Sequence, residues 1–408
     1  MGFLPKKDDT EFVSANFSFA GTQLKKMLSI ANRYDTLFPR ATDRYGRLTL
    51  TDKYEWTSGF FPGSLWYGYE ATKDDTLKRE AVIWTEKLEA LQHFTKHHDL
   101  GFMLYCSYGN AYRLTGNEQY KAILVEAAKS LSTRFSAKTG SIKSWNAFGS
   151  WDGKKQYFFP VIIDNMMNLE LLFFASRVTG DPYYKNIAIT HATHVMQNQV
   201  RPDYSCYHVV CYDTATGNVL TRETAQGYAN NSTWARGQSW GIYGFTMTYR
   251  ETGDKRFLAT AQKMADYYID NKELPADKVP YWDFNANDSG YTPSAKSHAE
   301  ETPVKYRDAS AAAVTASALL ELSTYLGESG AKYRNAAITI LHSLSSPAYK
   351  ATAGENEGFI LRHSVGSIAH GVEVDVPLIY ADYYYLEAMN RYRLLLDHKN
   401  IITGDNYR

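Results

Sequence analysis

Two aspartates stand where short apolar or aromatic stretches lead into helical ones, Asp99 in HHDLGF and Asp164 in VIIDNMM. A pair of carboxyls is the minimum equipment for general acid and base work on a sugar, provided the two differ in protonation state. Their neighbours supply such a difference. Asp164 follows Val161, Ile162 and Ile163, and an apolar approach raises the pKa of a carboxyl and suits it to proton donation. Asp99 has His97 and His98 beside it, and an imidazolium there keeps a carboxylate ionised. Both aspartates are equally good helix N-caps, a role that needs no ligand.

Aromatic residues make up 14% of the chain, with 32 Tyr, 19 Phe and 8 Trp, and many of the large rings crowd near expected helix starts. Trp56 and Phe60 lie in WTSGFFPG, Trp145 and Trp151 precede Asp164, Trp234 and Trp240 lie in STWARGQSWGIYGF, and Trp282 lies in YWDF. Flat rings gathered there suit the apolar faces of pyranose rings, whereas any one of them alone reads as core. Cys206 and Cys211 flank His208, which invites a zinc reading. With no second Cys/His pair at finger spacing, buried free thiols are expected instead, and no metal.

A repeat positions these residues. Thr115-Gly116-Asn117, Thr179-Gly180-Asp181 and Thr252-Gly253-Asp254 each read as a helix stop, through a left-handed Gly, followed by the N-cap of the next helix. Thr72-Lys73-Asp74 and Leu326-Gly327-Glu328 are degenerate copies. Before each stop lies an apolar helix rich in small residues, and after it an amphipathic one, as in 254–271 with Phe257, Ala261, Met264, Ala265 and Tyr268 on one stripe. Covered helices are expected to begin near Ser58, Asp99, Asp164, Arg236, Asp308 and Ala381. Amphipathic partners follow near Asp74, Asn117, Asp181, Asp254 and Ala331, and residues 18–33 close the ring. The pattern predicts an all-α chain, an (α/α)6 toroid of six inner and six outer helices. It is read as a single domain over 1–408, with its core at about 18–395 and short strands near 204–213 and 278–284. Counting back 15 or 16 residues from the stops reaches Trp56, Asp99, Asp164 and Arg236. At about 1.5 Å per residue these lie roughly 24 Å up the inner helices, on one rim. Helix N-termini converging on that rim favour an anionic ligand.

Lys and Arg total 44 against 44 Asp and Glu, so the net charge of zero argues against a nucleic-acid binder. No apolar run approaches the roughly 20 residues of a membrane span. The N-terminal MGFLPKKDDT lacks a signal-peptide core, which reads as cytoplasmic, or periplasmic if a signal has been removed. The expected state is a monomer or weak homodimer.

WTSGFFPG, HHDLGF, the IID run, SCYHVVCYD, AQGYANNSTWARGQSWGIYGF, YWDF, YRDASAAAVTASALLELS and DYYYLEAM, in this order, closely resemble the unsaturated glucuronyl hydrolases of glycoside hydrolase family 88. The resemblance spans roughly residues 20–395. It implies hydration of a 4,5-unsaturated uronate at the non-reducing end of an oligosaccharide left by a polysaccharide lyase, without any cofactor. Asp164 matches the general acid and base and Asp99 the second essential aspartate. His208, Gln226, Arg236 and Trp240 match substrate contacts, and Trp56 with Phe60 a stacking platform. The C-terminal stretch GFILRHSVGSIAHG has no Tyr and carries Ala369 where sulfate-tolerant relatives resemble a Ser-x-x-Ser-x-Lys arrangement. Ser364, Ser367 and His370 are therefore expected at the second sugar, against a plain Ser- and Gly-rich turn. An unsaturated rhamnogalacturonyl hydrolase, an ordinary inverting glycosidase on the same toroid and a non-catalytic oligosaccharide-binding protein are the competing readings.

Overall fold

In the computed structural model, which describes residues 7–402, four of the five stop triplets join two helices directly, while at Leu326-Gly327-Glu328 a 3-10 turn intervenes and the next helix has no side-chain cap. Gly116, Gly180 and Gly253 take φ of 66°, 75° and 70°, and Lys73 follows at 59°. The next residue caps: Asp74, Asn117, Asp181 and Asp254 each accept the backbone N–H two residues on, at 2.8–2.9 Å. Each such cap contributes about 1 kcal/mol. The threonine of the triplet has a part too. Thr72, Thr115, Thr179 and Thr252 donate their hydroxyls to the carbonyl four residues back and accept the N–H two residues ahead.

Twelve α-helices result among the described residues. The inner ones are α2 (Phe60–Thr72), α4 (Asn110–Thr115, continuing a π-helix over Gly101–Gly109), α6 (Leu169–Thr179), α8 (Ala235–Thr252), α10 (Ala309–Tyr325) and α12 (Ile379–Leu396). The outer ones are α3 (Asp75–Glu86), α5 (Glu118–Ser132), α7 (Pro182–Asn198), α9 (Lys255–Ile269), α11 (Gly330–Leu344) and α1 (Lys7–Ala31). Inner helices pack on inner neighbours, and α12 closes the ring on α2, which makes the (α/α)6 toroid. Every residue of the stripe expected on α9 is buried. Helix α1 starts at Lys7, earlier than its pattern suggested, with Asp8 and Asp9 in a first turn whose dipole favours them.

The strands differ from expectation. Only Val209–Tyr212 of the first predicted strand forms, between Pro160–Ile162 and Val219–Glu223, because Tyr204 sits in a turn at φ 65°. Residues 278–284 form no strand. Lys278 takes φ 62°, and Tyr281 and Asp283 make single bridges to different partners, Arg307 and Trp234. Two hairpins that the alternation did not reveal, Leu37–Thr42 with Leu48–Asp52 and Ser364–Ser367 with Val372–Val376, lie in the chain just before α2 and α12. They are rim segments.

Candidate active site

Asp99 and Asp164 are each 7% exposed, and neither caps a helix with its side chain. The helix starts that carry them are pressed together. A Cβ on Gly101 would fall 2.5 Å from the Asn168 Cα, and the Phe102 N–H donates to Asn168 Oδ1 at 3.0 Å. Glycine is what permits this backbone approach.

His97 Nδ1 lies 3.0 Å from one Asp99 oxygen and His98 Nε2 3.2 Å from the other. Burial works against the Asp99 charge, but His98 and then His97 outweigh it, and the carboxyl is held below the usual range. Burial likewise opposes a charge on His97, yet the hydrogen bond and charge of Asp99 raise it above an ordinary histidine. Its other nitrogen, Nε2, sits 3.0 Å from the Tyr54 carbonyl, and Nδ1 faces both the Asp99 carboxylate and, at 3.3 Å, the Asp99 N–H. His98 is fully buried, and desolvation lowers it against the pull of Asp99 and Asp164.

The Asp164 surroundings are different. Its Oδ2 accepts no hydrogen bond and lies 3.5 Å from His208 Nε2. His208 Nδ1 accepts the N–H groups of Ala225 at 3.1 Å and Gln226 at 3.2 Å, which places the ring proton on Nε2, toward Asp164. The Gln226 loop is in turn held by Asp283, which takes the Tyr228 N–H and the Ser232 hydroxyl. Burial pushes Asp283 up against these donors.

A cavity of about 670 Å³ has walls that include Trp56, Trp145, Trp151, Gln226, Ser367 and Tyr380; Asp99, Asp164 and His208 are not among them, and the link between cavity and carboxyls is Ala225 and Gln226, which line the one and donate their N–H groups to His208. Among the buried polar atoms without a partner are Asp164 Oδ2, His208 Nε2, Trp234 Nε1, Arg236 Nε, Trp240 Nε1 and Tyr380 OH, of which Tyr380 belongs to the cavity wall. Ring contacts link most of their owners, from His208 to Trp234 at 4.5 Å, Trp234 to Arg236 at 4.4 Å and Arg236 to Tyr380 at 5.2 Å. Orphaned buried donors and acceptors are costly, and their concentration in one place marks the position of a polar ligand.

The profile of glycosyl hydrolase family 88 matches residues 30–394. The chain belongs to that family. An unsaturated glucuronyl hydrolase of Formosa agariphila is 42% identical over 91% of both chains. An unsaturated chondroitin disaccharide hydrolase of Streptococcus agalactiae is 36% identical, over 84% of this chain and 82% of its own. Among solved structures, an unsaturated glucuronyl hydrolase specific for heparin superposes with a TM-score of 0.84 at 47% identity, covering 94% of this chain and 97% of its own. That of Bacillus sp. GL1 superposes at 0.81 with 33% identity, over 96% and 99%.

Several site residues expected of a family 88 chain sit differently from a simple rim of contacts. Phe60 has no exposed surface. It meets Trp56 edge-on at 5.7 Å, so Phe60 backs Trp56, and of the two only Trp56 lines the cavity. Trp240 is also fully buried, packed on Phe102 at 5.2 Å, and Trp234 and Trp282 are core rings as well, so only Trp56, Trp145 and Trp151 of the expected tryptophans line the cavity. The Arg236 guanidinium is committed to Asp308 and to the Val365 and Gly366 carbonyls. It therefore holds the 364–376 hairpin against α8 and α10 through Nη1 and Nη2, while its Nε keeps no partner. Ser364 is fully buried and its hydroxyl unpartnered, because strand alternation turns it from the cavity that Ser367 lines. Ser367 Oγ and His370 Nδ1 are 2.7 Å apart, and the His370 ring lies 4.9 Å from that of Trp151. Cys206 and Cys211 are buried free thiols, both pushed up to about 12 by burial, and no metal-holding group of His, Cys, Asp and Glu occurs among the described residues. No helix among them is long and apolar enough to cross a membrane. Asp283 and Tyr380 escaped the sequence reading, and Asp308 entered it only as a helix start. Asp308 had a signal, Asp-Ala-Ser before an Ala-rich helix, which reads as an N-cap, while Tyr380 had none.

Proposed function

We propose that this chain removes a 4,5-unsaturated glucuronic acid from the non-reducing end of lyase-generated glycosaminoglycan oligosaccharides, by hydrating the ring double bond. The observation that carries the reading is the pair of unlike carboxyls: Asp99, held ionised between two imidazoles, and Asp164, buried with an oxygen that accepts no hydrogen bond. Asp164 delivers its proton to C4 of the vinyl ether, and the electron pair of the ring oxygen stabilises the cation that forms at C5. The Asp99 carboxylate faces that charge and holds sugar hydroxyls. Asp164, now a carboxylate, takes a proton from water as its oxygen adds to C5. The hemiketal opens by breaking the bond between C5 and the ring oxygen, and C1, left as a hemiacetal, expels the second sugar. One water is consumed and Asp164 is returned protonated. His208, with Nε2–H toward Asp164, orients it. The relatives from Formosa agariphila and Streptococcus agalactiae bear names of this activity, which supports the same substrate class here.

The test is an ultraviolet assay on an unsaturated chondroitin or heparin disaccharide, following the conjugated uronate. Absorbance should fall as the second sugar is released, and Asp164→Asn should lower kcat by about 10²-fold or more, the scale of a lost general acid. Activity on saturated glucuronides would establish an ordinary glycosidase instead, and full activity of Asp164→Asn would leave only a binding role for that residue.

A further inference from the structure

Arg134, just after α5, is 7% exposed, and the hydrogen bonds of its guanidinium all go to uncharged oxygens. They are the carbonyls of Thr95 at 2.6 Å, Lys143 at 2.8 Å and Ser144 at 3.2 Å, and Asn146 Oδ1 at 3.2 Å. Burial lowers the guanidinium to about 10, with the charge of Asp99 pulling the other way. A buried cation with no acid in contact is costly, and what this one holds is the link between the two aspartates. Thr95 lies four residues before Asp99. The other three acceptors lie in 143–146, a segment wedged between two catalytic stretches. On one side the Ser144 carbonyl, beside the guanidinium, also accepts the His98 N–H at 3.1 Å. On the other, the Ser144 N–H donates to the Pro160 carbonyl at 2.9 Å, and its hydroxyl accepts the Ile162 N–H at 3.0 Å. Asn165 Nδ2 adds a bond to the Ile142 carbonyl at 2.8 Å. One short segment thus spaces the stretch ending in Asp99 from the stretch carrying Asp164. Ser144 is fully buried in it, and the next residue, Trp145, lines the cavity.

We propose that Arg134 is a positioning residue: by tying Thr95 to the 143–146 segment it sets the separation between Asp99 and Asp164. The inference rests on the function proposed above, in which one carboxyl protonates C4 while the other faces the charge at C5, so the pair must hold one spacing to act on adjacent atoms. A displacement of about 1 Å in such a pair costs about 10²-fold in rate. The position needs the fork, since a planar guanidinium reaches acceptors on two segments at once and an ammonium presents its donors from one point.

The experiment measures kcat and KM on an unsaturated chondroitin disaccharide for wild type, for Arg134→Lys, which keeps the charge and loses the fork, and for Arg134→Gln, which loses both. Each variant should lower kcat about tenfold or more and leave KM within about threefold, because Arg134 is no part of the cavity wall. Should Arg134→Gln fail to fold, Arg134→Lys still decides. Crystal structures of wild type and Arg134→Lys give a readout independent of turnover, and the separation of the two carboxyls should change by at least about 0.5 Å. Wild-type kcat in Arg134→Lys would leave Arg134 only its charge, and a loss carried by KM alone would leave it only the shape of the cavity. Either result would overturn the proposal, as would an unchanged separation. A wild type that does not bleach the uronate would overturn the proposed reaction instead, and the crystallographic separation would still decide for Arg134.

Discussion

Replacing Asp308 by Asn isolates the charge that holds Arg236 in place. Asp308 Oδ2 lies 3.2 Å from Arg236 Nη1, and the two residues are 0% and 1% exposed. The other oxygen, Oδ1, caps α10 by accepting the Ser310 N–H at 3.0 Å and the Ala311 N–H at 3.3 Å. An Asn keeps that acceptor but turns Oδ2 into an amide donor facing guanidinium donors. Stripping one partner from a buried ion pair costs about 3–5 kcal/mol. Arg236 retains the Val365 and Gly366 carbonyls, which puts the cost at the lower end, near 3 kcal/mol. At about 2.1 cal/mol/K per residue, 408 residues give roughly 0.86 kcal/mol/K, so the melting temperature should fall by about 3–4 °C. Asp308→Ala should lose about 1 kcal/mol more, for the cap. Adding Arg236→Met to Asp308→Asn should recover much of the loss, since no unpaired charge then stays buried. Scanning calorimetry on wild type and the three variants measures the series, with kcat/KM in parallel, because the 364–376 hairpin forms a cavity wall. A melting temperature for Asp308→Asn within about 1 °C of wild type would refute the reasoning.

Two further outcomes are expected. His97 is raised by Asp99, so it is charged below its raised value and loses its clamp on Asp99 and the Tyr54 carbonyl as pH climbs through it, with Arg134 the nearby cation opposing that charge. The alkaline limb of kcat should therefore contain a His97 step that disappears in His97→Gln, with kcat reduced about tenfold at neutral pH and KM little changed, as for other residues that orient a reacting group. A pH–rate profile of the two proteins checks this. Gly59→Ala would place a Cβ 2.2 Å from the Met103 carbonyl oxygen and 2.3 Å from that of Phe102, backbone atoms that cannot swing aside. The overpacking should cost at least about 1–3 kcal/mol, read as a lower melting temperature, and should lower kcat by displacing the segment that follows Asp99.

The helical frame was legible because its signals are local. A Gly-Asn or Gly-Asp hinge reports its own backbone conformation and cap, and the stripe on α9 reports its own buried face. Strands were harder. Residues 278–284 alternate acceptably, but a strand exists only where a partner runs alongside, and each half of that segment meets a different one.

The sequence by itself determined the toroid, the two aspartates and the aromatic supply, since each is written in spacing within one or two helices. The tertiary structure decided which groups are free to act. Phe60, Trp240 and Ser364 have the right types for a sugar site and are buried, and Arg236 has the right charge but pairs with Asp308, which leaves Trp240 Nε1 and Arg236 Nε as their unpartnered groups. Conversely Arg134, unremarkable in the chain, reaches the carbonyls of both Thr95 and Ser144. Whether a polar side chain is consumed or available depends on contacts between residues such as 236 and 308, or 95 and 134. Distance along the chain carries no information about that closeness until the ring of helices shuts.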